Sequence, residues 1–251
     1  MGLFRLLDLT LPSPEENLAL DDALLDELDE RGGDPVLRFW ESERYFVVLG
    51  PSCRLLDDVD TNACKRDGIG VFRRSSGGGT VLQGPGCLSY ALILPFTFHP
   101  DLKDIRTTNR FVLERMARAL HRWEPAISFR GVSDLAIDGM KISGNAQRRK
   151  RNALLFHGTI LHAMQADLIA RYLKQPARQP DYREGRPHER FLRTMAVSPE
   201  ELKRAIAGEW DAGSPLDCWP AARMADCLRA LHERTGREPG PSPSSGREGT
   251  S

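Results

Sequence analysis

The chain has 251 residues, 40% of them apolar and 28% charged, and its 35 lysines and arginines match its 35 aspartates and glutamates. That balance gives no support to a general nucleic-acid binder, whose electrostatic footprint is basic. No apolar run approaches the twenty or so residues of a membrane span, and the N-terminus has neither the basic start nor the long apolar stretch of a leader, so the expected place is the cytoplasm, with no membrane partner.

In chain order, Ser13-Pro14-Glu15-Glu16 predicts a helix start, with Ser13 as cap, Pro14 at the first helical position and Glu16 completing a capping box. The helix should run to about residue 29 or 30, bury Leu18, Leu24, Leu25 and Leu28, and stop at Gly32-Gly33. Strands over 36–40 and 45–49 and a short helix over 57–65 lead to Gly68-Ile69-Gly70 and a strand through Val71-Phe72. There follow a strand over 87–94, an amphipathic helix over 105–123, and strands over 133–137 and 140–143 around the hairpin turn Asp138-Gly139. A strand over 154–161 and a helix over 166–173 precede an irregular segment, 175–188, and two weaker helices, 199–207 and 220–234. A catalytic unit over 1–235 is expected, with a disordered tail over 236–251. Strands in the middle and helices at the flanks, without regular β-α-β alternation, give an α+β class around a mixed, mostly antiparallel sheet.

Arg73-Arg74-Ser75-Ser76-Gly77-Gly78-Gly79-Thr80-Val81 lies between the strand through Val71-Phe72 and strand-like Val81-Leu82. Glycine backbone approaches a ligand closely, so several amides can converge on an anion beside the two guanidinium groups. The same run also reads as a flexible Gly/Ser turn. Lys141, bounded by Gly139 and Gly144, is either an exposed strand lysine or an ammonium held to stabilise charge on a carbonyl or phosphate. Asp134, on the partner strand, is a strand-edge carboxylate or a Mg²⁺ contact, and His157 is a polar site residue or a buried histidine satisfied by backbone. The basic middle third, including Arg148-Arg149-Lys150-Arg151, reads mainly as a solvated face, with an acidic protein partner as the alternative. Five cysteines without a C-x-x-C pair fit reduced thiols, and His157 and His162 are wrongly spaced for one helical face, so no structural metal is expected.

In order and spacing, Arg73-Arg74-x-Ser76-Gly77-Gly78-Gly79-x-Val81, Ser133-Asp134-Leu135, Gly139-x-Lys141-Ile142-Ser143-Gly144-x-Ala146 and His157-Gly158-Thr159-x-Leu161 resemble the lipoate-protein ligase family. Asn17-Leu18-Ala19-Leu20-Asp21 and Leu37-Arg38-Phe39-Trp40 look like its start, so the likeness runs from about residue 5 to 210. The resemblance implies the fold of biotin/lipoyl protein ligases and octanoyltransferases. It also implies ATP and Mg²⁺ as cofactors and lipoate or octanoate as the acyl substrate. The acyl group would pass through an acyl-adenylate to a lysine of a lipoyl carrier domain, of the 2-oxoacid dehydrogenase E2 or glycine-cleavage H type. By matching positions, Arg74, Gly79, Thr80, Val81, Leu82 and Lys141 would bind the nucleotide or adenylate, with Lys141 catalytic and Asp134 on Mg²⁺. Arg73, Ser76, Gly77, Gly78, Gly144, Ala146, His157, Gly158 and Thr159 would line the lipoyl site.

Three departures matter. Gln83-Gly84-Pro85-Gly86 stands where the ligases have a His-Asp pair, and looks like the His-Gly-Pro-Gly of octanoyltransferases. The positions at which the transferases carry their nucleophilic cysteine read Gly131-Val132-Ser133 and Gln175-Pro176-Ala177, leaving Cys87 as a reserve nucleophile whose plainer role is strand filling. No C-terminal accessory domain is expected, which implies either a separate accessory subunit or an enzyme that works without one. A thioester-dependent transferase, a non-catalytic lipoyl-binding module and a biotin ligase are the competing readings.

Overall fold

A buried ion pair sets the first three elements. In the computed structural model, which describes residues 4–236, strand β1 (Phe4–Asp8) runs parallel to β2 (Val36–Trp40), and helix α1 (Pro14–Arg31) is the crossover between them. Ser13 Oγ accepts from the Glu16 amide while the Glu16 carboxylate accepts from the Ser13 amide, the capping box expected from the sequence. From β2 the fully buried Arg38 reaches α1, donating to Asp21 Oδ1 at 2.5 Å, to the Asn17 carbonyl at 2.8 Å and to Asn17 Oδ1 at 2.7 Å. Burial pushes the Asp21 carboxyl up and the Arg38 guanidinium down, and each is the other's main compensation.

Next come β3 (Phe46–Leu49), the short helices α2 (Leu55–Asp58) and α3 (Thr61–Asp67), β4 (Gly70–Arg73) and β5 (Val81–Gln83). The single helix expected over 57–65 is broken because Val59 bridges to Leu173 and Asp60 caps the Ala63 amide instead of continuing the turn. β3 is the middle strand of a small sheet, parallel to β4 and antiparallel to β5, so the arginine-glycine run joins its two outer strands.

The large sheet is ordered β11-β1-β2-β6-β10-β9-β8-β7 and is mixed but mostly antiparallel, as expected. Its members are β6 (Cys87–Pro95), β7 (Ser128–Arg130), β8 (Asp134–Ile137), β9 (Met140–Arg149), β10 (Ala153–Leu161) and β11 (Ala212–Pro215), with β1 and β2. Helix α4 (Ile105–Leu120) ends three residues before the expected Trp123. Helices α5 (Ala166–Tyr172), α6 (His188–Phe191), α7 (Pro199–Glu209) and α8 (Ala221–Thr235) complete the described chain. β9 extends well past the expected residue 143, because β10 pairs with it out to Arg149. The expected tail lies outside the described residues except for Gly236.

Alternation on β6 and β10 creates two cores. Leu88, Tyr90, Leu92, Leu154 and Phe156 face α4 and α7, where Val112, Met116, Ile206 and Trp210 are wholly buried. Ala91, Ile93 and Leu155 face α1 through Leu20, Leu24, Leu25 and Leu28. Each such apolar side chain contributes about 1.5–3 kcal/mol when fully buried. None of the described helices is long and apolar enough to cross a membrane.

Arg38→Met strands the Asp21 carboxylate in this interior and should lower unfolding free energy by about 3–5 kcal/mol in chemical denaturation. Adding Asp21→Leu should restore much of the loss.

Candidate functional site

The face of the large sheet that lies under the glycine loop is set by register. On β10, Leu155, His157 and Thr159 share one face, opposite Arg148, Ala146 and Gly144 of β9. Between β8 and β9 the register shifts so that Leu135 pairs with Ser143 but Ala136 with Lys141, leaving Ile142 as the extra residue of a β-bulge. Ile142 goes into the α4-side core at 0% exposure, and Lys141 is turned back onto the face of Gly144 and Asp134. Without the bulge, alternation would aim Lys141 away from the site.

Lys141 Nζ lies 2.8 Å from Asp134 Oδ1, and the Tyr182 hydroxyl donates to Asp134 Oδ2 at 2.8 Å. Burial, then the neighbouring Asp134, holds the Tyr182 phenol well above its usual range. Gly144 makes room for the lysine: a Cβ there would come within 2.7 Å of Nζ. Gly158 is similarly required, since its Cβ would fall 1.7 Å from Asn145 Oδ1, the acceptor for the buried Tyr90 hydroxyl.

The loop lies across β9 and β10. Ser76 Oγ is 2.5 Å from His157 Nε2, and a Cβ on Gly78 would stand 3.8 Å from Ala146 Cβ. Arg74 is buried and donates to the carbonyls of Gly77 at 2.7 Å and Gly79 at 2.8 Å, burial pushing its pKa down to about 10. Arg73 donates to the carbonyls of Gly50 and Cys53 at 2.9 and 2.7 Å. The sequence reading presented both guanidinium groups to an anion; in this structure both face backbone carbonyls, Arg74 those of the glycine loop and Arg73 those of the turn after β3. Among the described residues, no backbone N–H from Ser75 to Thr80 is given to a backbone carbonyl. What the loop offers a ligand is amides, next to open space at Gly77 and Gly79.

Of the remaining expected residues, Thr80 donates to Asp58 at 2.5 Å, Val81 packs beside Trp40 and Phe46, and the Leu82 side chain is 4% exposed in the small-sheet core, so Leu82 can reach a ligand only through its main chain. Thr159 stands opposite Gly144 and Ser89. His157 Nδ1 is 3.9 Å from Asp21 Oδ2, so Ser76, His157 and Asp21 form a row like a hydrolytic triad. It cannot act as one, since Arg38 holds Asp21 and burial, then Arg74, pushes the imidazole pKa down to about 3.

The sequence reading missed Asp22 and Arg234, whereas it singled out Tyr182-Arg183-x-x-Arg186-x-His188-x-x-Phe191 as either a loop near the adenylate or a surface crossover, and Tyr182 meets Asp134. Asp22 is 4% exposed and accepts from Ser75 at 2.5 Å, Arg148 at 2.9 Å and Arg234 at 3.1 Å, joining α1, the loop, β9 and α8. Its signal was present: Asp21 and Asp22 stand three and four residues after Leu18, on the apolar face of a helix. With Lys150 on Asp26, Arg171 on Asp67 and Arg193 on Glu124, much of the basic middle third is paired within the chain instead of solvated alone. Gly86 accepts the amides of His162, Ala163 and Met164, and its own amide donates to Glu41, which pairs with His162. The transferase-like turn thus has a structural task.

Residues 13–206 match the model of the lipoyl protein ligase A/B catalytic domain. The chain belongs to that family. It is 30% identical over 160 residues to the "Probable lipoate-protein ligase A" of Mycoplasma pneumoniae, covering 64% of this chain and 46% of that protein, so it spans about half the length of this relative. It is 27% identical over 265 residues to the octanoyltransferase LipM of Geobacillus kaustophilus, covering 94% of each. Among solved structures, a bi-partite lipoate protein ligase from Thermoplasma acidophilum matches with a TM-score of 0.77 at 22% identity over 93% of both chains. A lipoate-protein ligase A bound with ATP matches with 0.72 at 22% identity, over 93% of this chain and 95% of that one. These likenesses agree with the expected fold, and the family's named members include both ligases and transferases.

A histidine kept neutral by burial resists protonation in the folded chain while its unfolded form titrates near 6.5, so the stability it permits is lost as pH falls below 6.5 toward 3. Denaturation at pH 7, 6 and 5 should show His157→Gln flattening that decline, by up to about 1.4 kcal/mol per pH unit.

Proposed function

We propose that the protein is an ATP-dependent ligase that activates lipoate or octanoate as an acyl-adenylate and transfers the acyl group to a lysine of a lipoyl carrier domain. The observation that carries this reading is the joining of one amide-lined loop and one held ammonium on a single sheet face. Attack of a carboxylate oxygen on the α-phosphorus of ATP expels pyrophosphate and leaves a carbonyl beside a phosphate. The loop amides suit the phosphate oxygens, and Lys141 suits the charge shared between phosphate and carbonyl. The carrier amine then forms the amide bond as AMP leaves, so no enzyme nucleophile is needed.

The thiols support the same reading. Cys87 is 1% exposed, and burial pushes it up to about 12. Cys227 is also pushed up to about 12, by burial and Asp26. A Mg²⁺ ion fits Asp134, because such an ion needs one or two carboxylates beside phosphate oxygens, and among the described residues no group of three protein ligands gathers anywhere. When bound, it would offset phosphate charge. The reading includes an E2-type or glycine-cleavage H-type lipoyl domain as acceptor, with the chain assayed alone and together with a separate accessory polypeptide.

The transferase reading draws on the likeness to octanoyltransferase LipM over 94% of each chain, on the Gln83-Gly84-Pro85-Gly86 turn, and on a thiol at the loop, Cys53 Sγ, 3.7 Å from the Gly78 carbonyl. Burial raises that thiol, which leaves it protonated and a poor nucleophile.

Incubation with Mg-ATP, octanoate or lipoate, and a lipoyl domain should release pyrophosphate and increase the mass of the domain by one acyl group. Acylation from an acyl-carrier thioester without ATP would overturn the ligase reading. Lys141→Ala should cut adenylate formation by roughly 10²–10³ in kcat while the fold persists. Cys53→Ser should keep the wild-type rate, and its loss would move the assignment to a thioester route.

A further inference from the structure

At the inner end of the site, Leu18 and Asp22 of α1, Leu155 and His157 of β10, and Leu231 and Arg234 of α8 close around a cavity. The free space between them is about 10 Å³, enough for one water. The polar groups on this wall are already engaged: Asp22 by Ser75, Arg148 and Arg234, and His157 by Ser76. What remains for an entering group is the hydrocarbon of three leucines.

The position of this cavity along β10 gives its purpose. Thr159 stands opposite Gly144, beneath Lys141, and Leu155 lies four residues further along the same face. At about 3.3 Å per residue that is about 13 Å, the reach of an extended acyl chain of roughly eight to ten carbons. An acyl carbonyl at Lys141 would therefore bring its tail to Leu155 and meet α8 there. The helix is fastened at this end: Thr235 Oγ1 accepts from the Arg73 amide at 3.1 Å, and Arg234 donates to Asp22 at 3.1 Å and to the Arg73 carbonyl at 3.4 Å. Leu231 is wholly buried against Leu18, Trp40, Phe46 and Val48.

We propose that Leu231, on the last described helix, is the end wall of the acyl pocket and sets the chain length that the enzyme accepts. The inference rests on the acyl-group reading of the site and not on the ATP step. The space between Leu155 and Leu231 holds no more than a water, so a chain that reaches Leu155 stops against the Leu231 side chain.

The test is calorimetric binding of hexanoate, octanoate, decanoate and dodecanoate to the full chain and to folded Leu231→Ala, Leu231→Phe and Leu228→Ala variants. Leu231→Ala should move the optimum longer by about two or three carbons and raise the decanoate-to-octanoate ratio about tenfold, and Leu231→Phe should favour hexanoate by a similar factor. Leu228, partly buried, packs on the same helix against Ala19 and Ala23, so Leu228→Ala should keep the wild-type order while loosening the helix. An unchanged order in both Leu231 variants, an equal shift in Leu228→Ala, or no binding of any chain length would overturn the proposal. A wild-type protein that ranks the fatty acids as described yet ligates none with ATP would sink the ligase reading and leave the end wall standing.

Discussion

A guanidinium group taken out of water must find oxygen acceptors, and three buried arginines shape this protein by that demand. Arg38 gathers Asp21, Asn17 and the Leu9 carbonyl, fixing α1 over the large sheet. Arg73 gathers the turn after β3, and Arg74 gathers the carbonyls of the glycine loop. In the loop this divides the backbone: its oxygens are held by protein and its amides are left for something else. A run of glycines that would otherwise sample many conformations is thereby ordered without a ligand.

The second constraint is parity. A strand can show a site only every other residue, and the motif from Gly139 to Ala146 would separate Lys141 from Gly144 by alternation alone. The single extra residue at Ile142 removes the conflict, burying an isoleucine in one core and presenting the lysine to the other face. The Lys141 ammonium, the Asp134 carboxylate and the Tyr182 hydroxyl then form one connected group in partly buried surroundings, where charge interactions are stronger than in water.

Much of the fold was legible because its signals are local. The capping box at Ser13, the turn at Asp138-Gly139, whose residues take φ of 50° and 74°, and the apolar spacing of α4 each act within a few residues. β1, β7 and β11 were not foreseen: two are edge strands of three or four residues, and β1 is defined chiefly by its neighbours in the sheet. The site was legible as a set of motifs but not in its orientation. Nothing in Arg73-Arg74 tells whether the side chains face a ligand or the chain's own carbonyls, since that depends on the turn around Gly50, more than twenty residues away. The bulge at Ile142 and the closure by α8 likewise depend on partners distant in sequence.

The short edges of the large sheet also govern how copies of the chain behave toward one another. An unpaired strand edge invites another strand to add to it, the first step of edge-to-edge aggregation. Here one edge, β7, has three residues and ends on the exposed Arg130, and the other, β11, has four and includes Gly213 and Pro215. A charge at one end and a missing amide at the other make both poor templates. An eight-stranded sheet with two apolar cores can therefore leave both edges open without closing into a barrel.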